Sequence, residues 1–285
     1  MRIGVLTDQG VAELDDTQMP GELGAALFSG ADVLAASRRA LTSTLPRLPL
    51  QTIDYAPVVP RPGKVLCMGL NYFDHAREGG RDKPDYPWFF MRGASSLLAH
   101  GKPTLRPRVS NALDYEVELA VVIGKTMRHA TLASALDGVL GYSCFNDISL
   151  RDYQRKTPQW TMGKNFDATG AFGPWLVTAD ELPAGARGLQ VESRLNGVVM
   201  QHANTSDMMW SVAEAIVLLT ECMTLEPGDV VIMGTPAGVG AARTPPVWMK
   251  HGDVIEVEVE GIGVLSNLVQ DEDGAAHCEV KTQLP

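Results

Sequence analysis

The sequence predicts a strand-rich α+β protein in which a small N-terminal α+β unit precedes a larger body. Three observations carry that expectation. Short strand-like runs recur along the chain, and two of them, residues 114–124 and 254–260, alternate apolar and polar positions. Few stretches read as helix. Prolines at 46, 49, 57, 60 and 62 space out an extended connector that ends at Arg61-Pro62-Gly63. The expected division is residues 1–60 as the small domain with its linker and 61–285 as the main domain.

Composition narrows the function. At 285 residues, with 45% hydrophobic and 20% charged residues, the chain can bury a substantial core. A formal net charge of −10 argues against a nucleic-acid backbone or an anionic membrane as partner. It leaves room for an anionic small substrate, because a bound divalent cation reverses the local sign. No apolar run approaches ~18 residues, so no membrane span is expected. The first residues, Met-Arg-Ile-Gly-Val-Leu-Thr-Asp, lack the apolar centre of a signal peptide and carry an acid early. Cys67, Cys144, Cys222 and Cys278 form no Cys-x-x-Cys, and the first three sit in apolar surroundings. Buried free thiols in a reducing cytoplasm are the expectation.

In order, Arg2–Leu6 and Val11–Leu14 read as a hairpin across Asp8-Gln9-Gly10, and Ala31–Leu41 as a helix. Lys64–Gly69 reads as a strand that delivers Asn71, His75 and Glu78; the polar segment from Glu78 to Tyr86 reads as a mobile loop. A helical turn over His75–Glu78 would place the two side chains on one face, where a carboxylate raises imidazole basicity and fixes its tautomer. Leu132–Leu140 reads as helix and Gly141–Asn146 as strand with Asp147 at its end. A helix over Ser149–Lys156 would align Asp147, Arg151 and Gln154 at i, i+4 and i+7. Thr157–Asp167 reads as a loop carrying Lys164. Pro174–Val177, Leu189–Leu195 and Val198–His202 read as strands, the last two joined by an Asn196-Gly197 turn. Ser211-Val212-Ala213-Glu214 is a capping box opening a helix through about Met223. Val230–Met233 is a strand feeding the segment Gly234–Gly240, which lacks the Lys-Ser/Thr of a phosphate loop; its amides and the Thr235 hydroxyl suit a carboxylate instead. Glu256, Glu258 and Glu260 read as the wet face of a final hairpin.

The stretch Asp114–Gly124 is the one with chemical content. Val117, Leu119, Val121 and Ile123 fall on one strand face, Glu116 and Glu118 on the other. Residues i and i+2 lie ~6.5–7 Å apart, so both carboxylates can converge on one ion. A Glu-x-Glu taken alone reads as a solvated strand face. Buried, the pair demands a positive partner.

Several blocks in order resemble the fumarylacetoacetate hydrolase family, in its acylpyruvase and 2-hydroxyhepta-2,4-diene-1,7-dioate isomerase-like branch. They are Gly69–Tyr72 with Asp74-His75, Asp114–Leu119, Gly141-Tyr142 through Asn146-Asp147 to Arg151-Asp152, Gly163–Asp167, and Thr224–Asp229 to Gly234–Gly240. The resemblance implies a roll of mixed β-sheets and a homodimer. It implies Glu116, Glu118 and Asp147 as ligands of Mg²⁺, with Mn²⁺ or Ca²⁺ as alternatives; three carboxylates suit such hard ions. It implies His75 and Glu78 as a catalytic dyad, Lys164 as a catalytic cation, and Arg92, Arg151, Gln154 and Thr235 as substrate contacts. Arg92 departs from the lysine common at that place, and arginine cannot lose its proton.

The function so implied is metal-dependent hydrolysis of a C–C bond in a 2,4-dioxo acid such as an acylpyruvate. The metal would chelate the 2-oxo-carboxylate, His75 held by Glu78 would activate water, and Lys164 would steady the metal-bound enolate. Oxaloacetate decarboxylation and isomerisation or decarboxylation of an unsaturated dioxo-diacid use the same site. A non-catalytic, metal-clamped oxo-acid-binding protein is the alternative from another class; it would need the triad but not the dyad.

Overall fold

The computed structural model describes residues 1–14, 21–80 and 82–273. The main sheet has seven strands, in the order Trp88–Met91, Val65–Gly69, Val230–Ile232, Val117–Ile123, Val139–Asp147, Gly170–Thr178 and Leu97–Leu98. Pairing is mixed: Val65–Gly69 runs parallel to Val230–Ile232, whereas Val117–Ile123 is antiparallel to both its neighbours. A second sheet of five strands runs Val198–Asn204, Gln190–Leu195, Val254–Val259, Gly263–Asp271 and Thr104–Arg106. The chain is α+β and strand-rich.

Val117–Ile123 lies at the centre of the main sheet and every residue in it is buried. Its period of two separates two cores rather than core from solvent. Val117, Leu119, Val121 and Ile123 pack in one cluster with Val191, Val257, Val259 and Leu265 of the second sheet. Ala120 and Val122 pack in the other with Ala26, Leu27 and Val33, from the helices Leu23–Phe28 and Val33–Thr42. Each fully buried Val, Leu or Ile contributes about 1.5–3 kcal/mol. Glu116 and Glu118 therefore enter a doubly covered strand, with no wet face to retreat to.

At the N-terminus Gly4–Thr7, Gly10–Glu13 and Arg47–Leu48 form a small antiparallel sheet. Helix Val33–Thr42 opens on Asp32, whose carboxylate accepts from the Ala35 amide at 2.8 Å. Asn196 and Gly197 both have positive φ and turn Leu195 back onto Val198, as the Asn-Gly pair requires. Ser211 and Glu214 form the expected reciprocal cap on helix Val212–Cys222.

Four expectations need correction. Leu132–Leu140 is no helix: one 3₁₀ turn, Ala135–Gly138, gives way to a strand from Val139, which pairs with Ile123. Sheet pairing there overrides a local helical pattern. The helix over Ser149–Lys156 shrinks to Arg151–Gln154, because Ser149 and Leu150 are spent pairing with Asp114 and Leu113. Within the expected loop Thr157–Asp167 lies a helical turn, Thr161–Lys164. Cys67 and Cys144 are buried free thiols, but Cys222 is exposed at its helix end, and Cys278 lies outside the described residues. So does Arg81 of the Glu78–Tyr86 segment.

Asn71 joins three parts of this frame. Fully buried, it donates to the carbonyls of Trp210 and Met233 at 3.0 and 2.7 Å and accepts from the Trp210 amide at 2.8 Å. Asn71→Ala strands those backbone groups in the interior, and each orphan costs about 1–3 kcal/mol. The expected result is a loss of about 2–4 kcal/mol in denaturant unfolding; a loss below measurement error would show that water takes the amide's place.

Candidate active site

Register assembles the acidic cluster. Val139–Asp147 pairs with Val117–Ile123 so that Phe145 faces Glu118 and Asn146 faces Val117. One step further, the Asp147 amide donates to the Glu116 carbonyl at 2.9 Å. The Asn146 side chain fixes the same corner by accepting from the Glu116 amide at 3.0 Å. Ligand oxygens of Glu116, Glu118 and Asp147 consequently lie within 4.8 Å of one another, all buried. Two chain segments supply them.

Three cations surround the triad. Lys164 Nζ lies 2.6 Å from Glu116 Oε2 and 2.5 Å from Asp147 Oδ2. Arg151 Nη2 lies 2.7 Å from Glu116 Oε1, and its Nη1 donates to Gln154 Oε1 at 3.0 Å. Arg92 Nη1 lies 2.5 Å from Asp147 Oδ1, with Nη2 bonded to Thr169. Lys164 reaches the cluster because residue 163 is glycine: a Cβ there would stand 2.5 Å from the Gln154 backbone, forcing the two short helices apart.

Arg92 lies behind the triad. Its side chain is 0% exposed and its bonds are taken by Asp147, Ile148, Ser96 and Thr169, so it orients a triad carboxylate from behind. Thr235 is buried and accepts from Gln201 Nε2 at 2.7 Å, leaving its hydroxyl proton to give. Beside it, the Gly234 amide donates to Glu118 Oε2 at 2.5 Å. Gly234 holds φ +88, and a Cβ there would meet that of Asn71 at 2.7 Å, so glycine is required.

The carboxylates are not equivalent. Burial pushes the Glu116 carboxyl up, but Arg151 and Lys164 outweigh it and hold the group at about 2. Glu118 has no cationic partner at bonding distance among the described residues. Burial, then the charges of Asp147 and Glu116, push it well above the usual carboxylate range, against a smaller opposing pull from Lys164 and the Gly234 amide. Burial pulls Lys164 down, and Asp147 and Glu116 more than restore it, so the ammonium stays charged. An all-oxygen donor set with one carboxylate short of positive charge fits a hard divalent ion.

That asymmetry has a measurable consequence. Burial and its acidic neighbours favour the protonated form of Glu118, so an ion that takes this carboxylate displaces a proton, and affinity should rise with pH by about tenfold per unit while the group titrates. Isothermal titration with Mn²⁺ in buffers of different ionisation heat should show proton release; identical heats in all buffers would contradict it.

The dyad sits on helix Phe73–Glu78, which follows the Val65–Gly69 strand. His75 Nδ1 lies 3.3 Å from Glu78 Oε2, and Glu78 Oε1 accepts from the Gly238 amide at 2.9 Å. Their side chains are 15% and 22% exposed, at the edge of the buried cluster. His75 is near enough for its charge to contribute to lowering Glu116. The row Glu256, Glu258 and Glu260 gathers no such partners; Arg194 spans Glu256, Glu258 and Glu192 on the outside of the second sheet.

Sequence reasoning passed over Asp114, which is fully buried and bonded to Arg151, and the aromatic group of Trp88, Phe90 and Trp160 beside Lys164. No local pattern marks the first, whose partners lie up to 127 positions away. Of the second, Trp88 and Phe90 share one strand face, and Trp160 joins them through tertiary contact.

A family model for the fumarylacetoacetate (FAA) hydrolase C-terminal domain matches residues 64–270. The human mitochondrial oxaloacetate tautomerase FAHD2A is 40% identical over 256 residues, covering 89% of this chain and 81% of that protein. The solved fumarylacetoacetate hydrolase of the psychrophile Exiguobacterium antarcticum superposes with a TM-score of 0.81 at 34% identity, covering 95% of each chain. The 2-hydroxyhepta-2,4-diene-1,7-dioate isomerase of Mycobacterium marinum gives 0.71 at 31% identity, covering 96% of this chain and 99% of that one. On these matches the chain is an enzyme of the fumarylacetoacetate hydrolase family.

Proposed function

We propose that this enzyme moves a proton on a 2-oxo diacid of the oxaloacetate type, interconverting keto and enol forms with a divalent cation at Glu116, Glu118 and Asp147. The observation that carries the reading is the His75–Glu78 pair, bonded to each other and anchored to Gly238 at the edge of the carboxylate cluster. The name of the human relative supports the substrate class. When bound, the ion polarises the substrate's 2-oxo group as a Lewis acid. His75 takes a proton from the carbon between the two carbonyl-bearing carbons, and a proton is returned to the 2-oxo oxygen, so composition is unchanged. Glu78 holds the imidazole in one tautomer and stabilises its charged form. Lys164 lowers the cost of negative charge on the enolate, and the Thr235 hydroxyl donates to a substrate carboxylate.

Hydrolysis is the second reading, favoured by the partial exposure of the dyad, which lets water reach His75. There His75 takes a proton from water as the oxygen adds to the distal carbonyl; the C–C bond breaks and the departing carbon gains a proton. A non-catalytic oxo-acid binder has no use for the dyad. The two buried thiols suit a reducing cytoplasm, and the homodimer of the resemblance belongs to the same proposal.

The experiment is a side-by-side assay of the Mg²⁺-loaded protein. Faster loss of oxaloacetate enol absorbance without C–C cleavage supports tautomerisation; pyruvate and acetate from acetylpyruvate supports hydrolysis. Pyruvate and CO₂ from oxaloacetate would replace both with decarboxylation. Silence in all three assays overturns the proposal.

A further inference from the structure

Asp114 lies two residues before the first triad glutamate and has no exposed surface, so it cannot touch substrate. Its Oδ1 accepts from the Tyr115 amide at 2.9 Å and the Gly240 amide at 2.7 Å. Its Oδ2 accepts from the Ala241 amide at 2.9 Å and Arg151 Nε at 2.7 Å. The acceptor sites of an ionised carboxylate are thereby filled. Arg151, gripped at Nε, presents Nη2 to Glu116 Oε1. On the other side, the two residues that Asp114 grips follow Gly238 closely, whose amide donates to Glu78 Oε1 and whose carbonyl accepts from the Tyr115 hydroxyl at 3.2 Å. Hydrogen bonds lead from Glu78 through Gly238–Ala241 and Asp114 to Arg151, and an ion pair at 2.7 Å, Arg151 Nη2 to Glu116 Oε1, completes the path.

We propose that Asp114 is a positioning residue that sets Arg151 against Glu116 and holds the Gly238–Ala241 segment where it receives Glu78, coupling ion binding to the seating of the dyad. The inference rests on the metal-dependent reading above. Its physical basis is the guanidinium fork: with Nε fixed, the plane of the group is fixed, and Nη2 can meet only one carboxylate oxygen. Asparagine fills the same volume but turns one acceptor oxygen into a donor, which then faces N–H groups. Partners that orient a ligand from behind change metal affinity by about 10–100-fold.

The test is Mn²⁺ titration of the full chain, Asp114→Asn, Arg151→Lys and the double variant, with folding checked by circular dichroism. Asp114→Asn and Arg151→Lys should each raise Kd by about 10–100-fold, and the double variant should bind within about threefold of the weaker single. A parent-like Kd in Asp114→Asn, or factors that multiply in the double variant, overturns the inference. Hydrogen exchange at the Gly240 and Ala241 amides decides the matter even where Asp114→Asn does not fold. In metal-free Arg151→Lys these amides should exchange about tenfold faster than in the metal-free parent; equal rates overturn the coupling. A parent that binds no Mn²⁺ contradicts the metal reading itself, while the exchange comparison still judges Asp114.

Discussion

Glu118→Gln should destroy divalent-cation binding and, in the same protein, make the metal-free fold more stable. The two effects have one origin. Glu118 is buried beside Asp147 and Glu116, while the cations Lys164 and Arg151 are bonded elsewhere. Glutamine can still accept the Gly234 hydrogen bond through its amide oxygen, so no donor is orphaned. What disappears is a carboxyl whose ionised form the ion needs and the metal-free fold disfavours. Replacing a buried carboxyl that has no cationic partner by a neutral group of similar shape gains about 1–3 kcal/mol where the unfolded carboxyl is ionised. The gain has a sign in pH. The folded carboxyl titrates above its unfolded value. The parent therefore loses stability as pH rises from the unfolded value of about 4.3 through the raised folded value, and the glutamine variant does not. Melting curves in chelator should separate at pH 8 and coincide near pH 4. A variant less stable than the parent at pH 8 would mean that the ionised Glu118 is compensated in the metal-free fold.

His75→Ala should reduce turnover by about 10²–10⁴-fold and leave Mn²⁺ affinity within about twofold of the parent. His75 bonds to Glu78 and to none of the triad, so its loss subtracts a proton carrier without opening the ion site. Glu78→Gln should fall in the same direction and less far, since glutamine keeps a bond to the imidazole but cannot stabilise its charged form. Steady-state rates on oxaloacetate and acetylpyruvate, beside Mn²⁺ titration, read both quantities. Undiminished turnover would assign the base elsewhere; lost metal affinity would make His75 a part of the ion site.

Much of this was legible in the residues because strands write their pattern locally. The period of two in Val117–Ile123 set Glu116 and Glu118 on one face, and the hairpin at Asn196-Gly197 needed only a turn whose backbone tolerates positive φ. The alternation could not say what covered each face. Both faces proved to be core, one under the second sheet and one under the N-terminal helices, since burial is decided by distant packing. Leu132–Leu140 misled for the same reason: pairing of Val139 with Ile123 outweighed a weak helical preference. Arg92 shows a different limit. The resemblance implied a substrate contact there, and only three-dimensional register shows the side chain enclosed behind Asp147. Asp114 was invisible as anything but a neighbour, because its four partners lie up to 127 positions away.

The central claim is that Glu116, Glu118 and Asp147 share one divalent ion. Anomalous diffraction from Mn²⁺-soaked crystals addresses it most directly. The account predicts a single peak with oxygens of all three residues at about 2.0–2.6 Å, and Lys164 Nζ moved off at least one of its two carboxylates. A peak elsewhere, or none while Lys164 keeps both bonds, would contradict it.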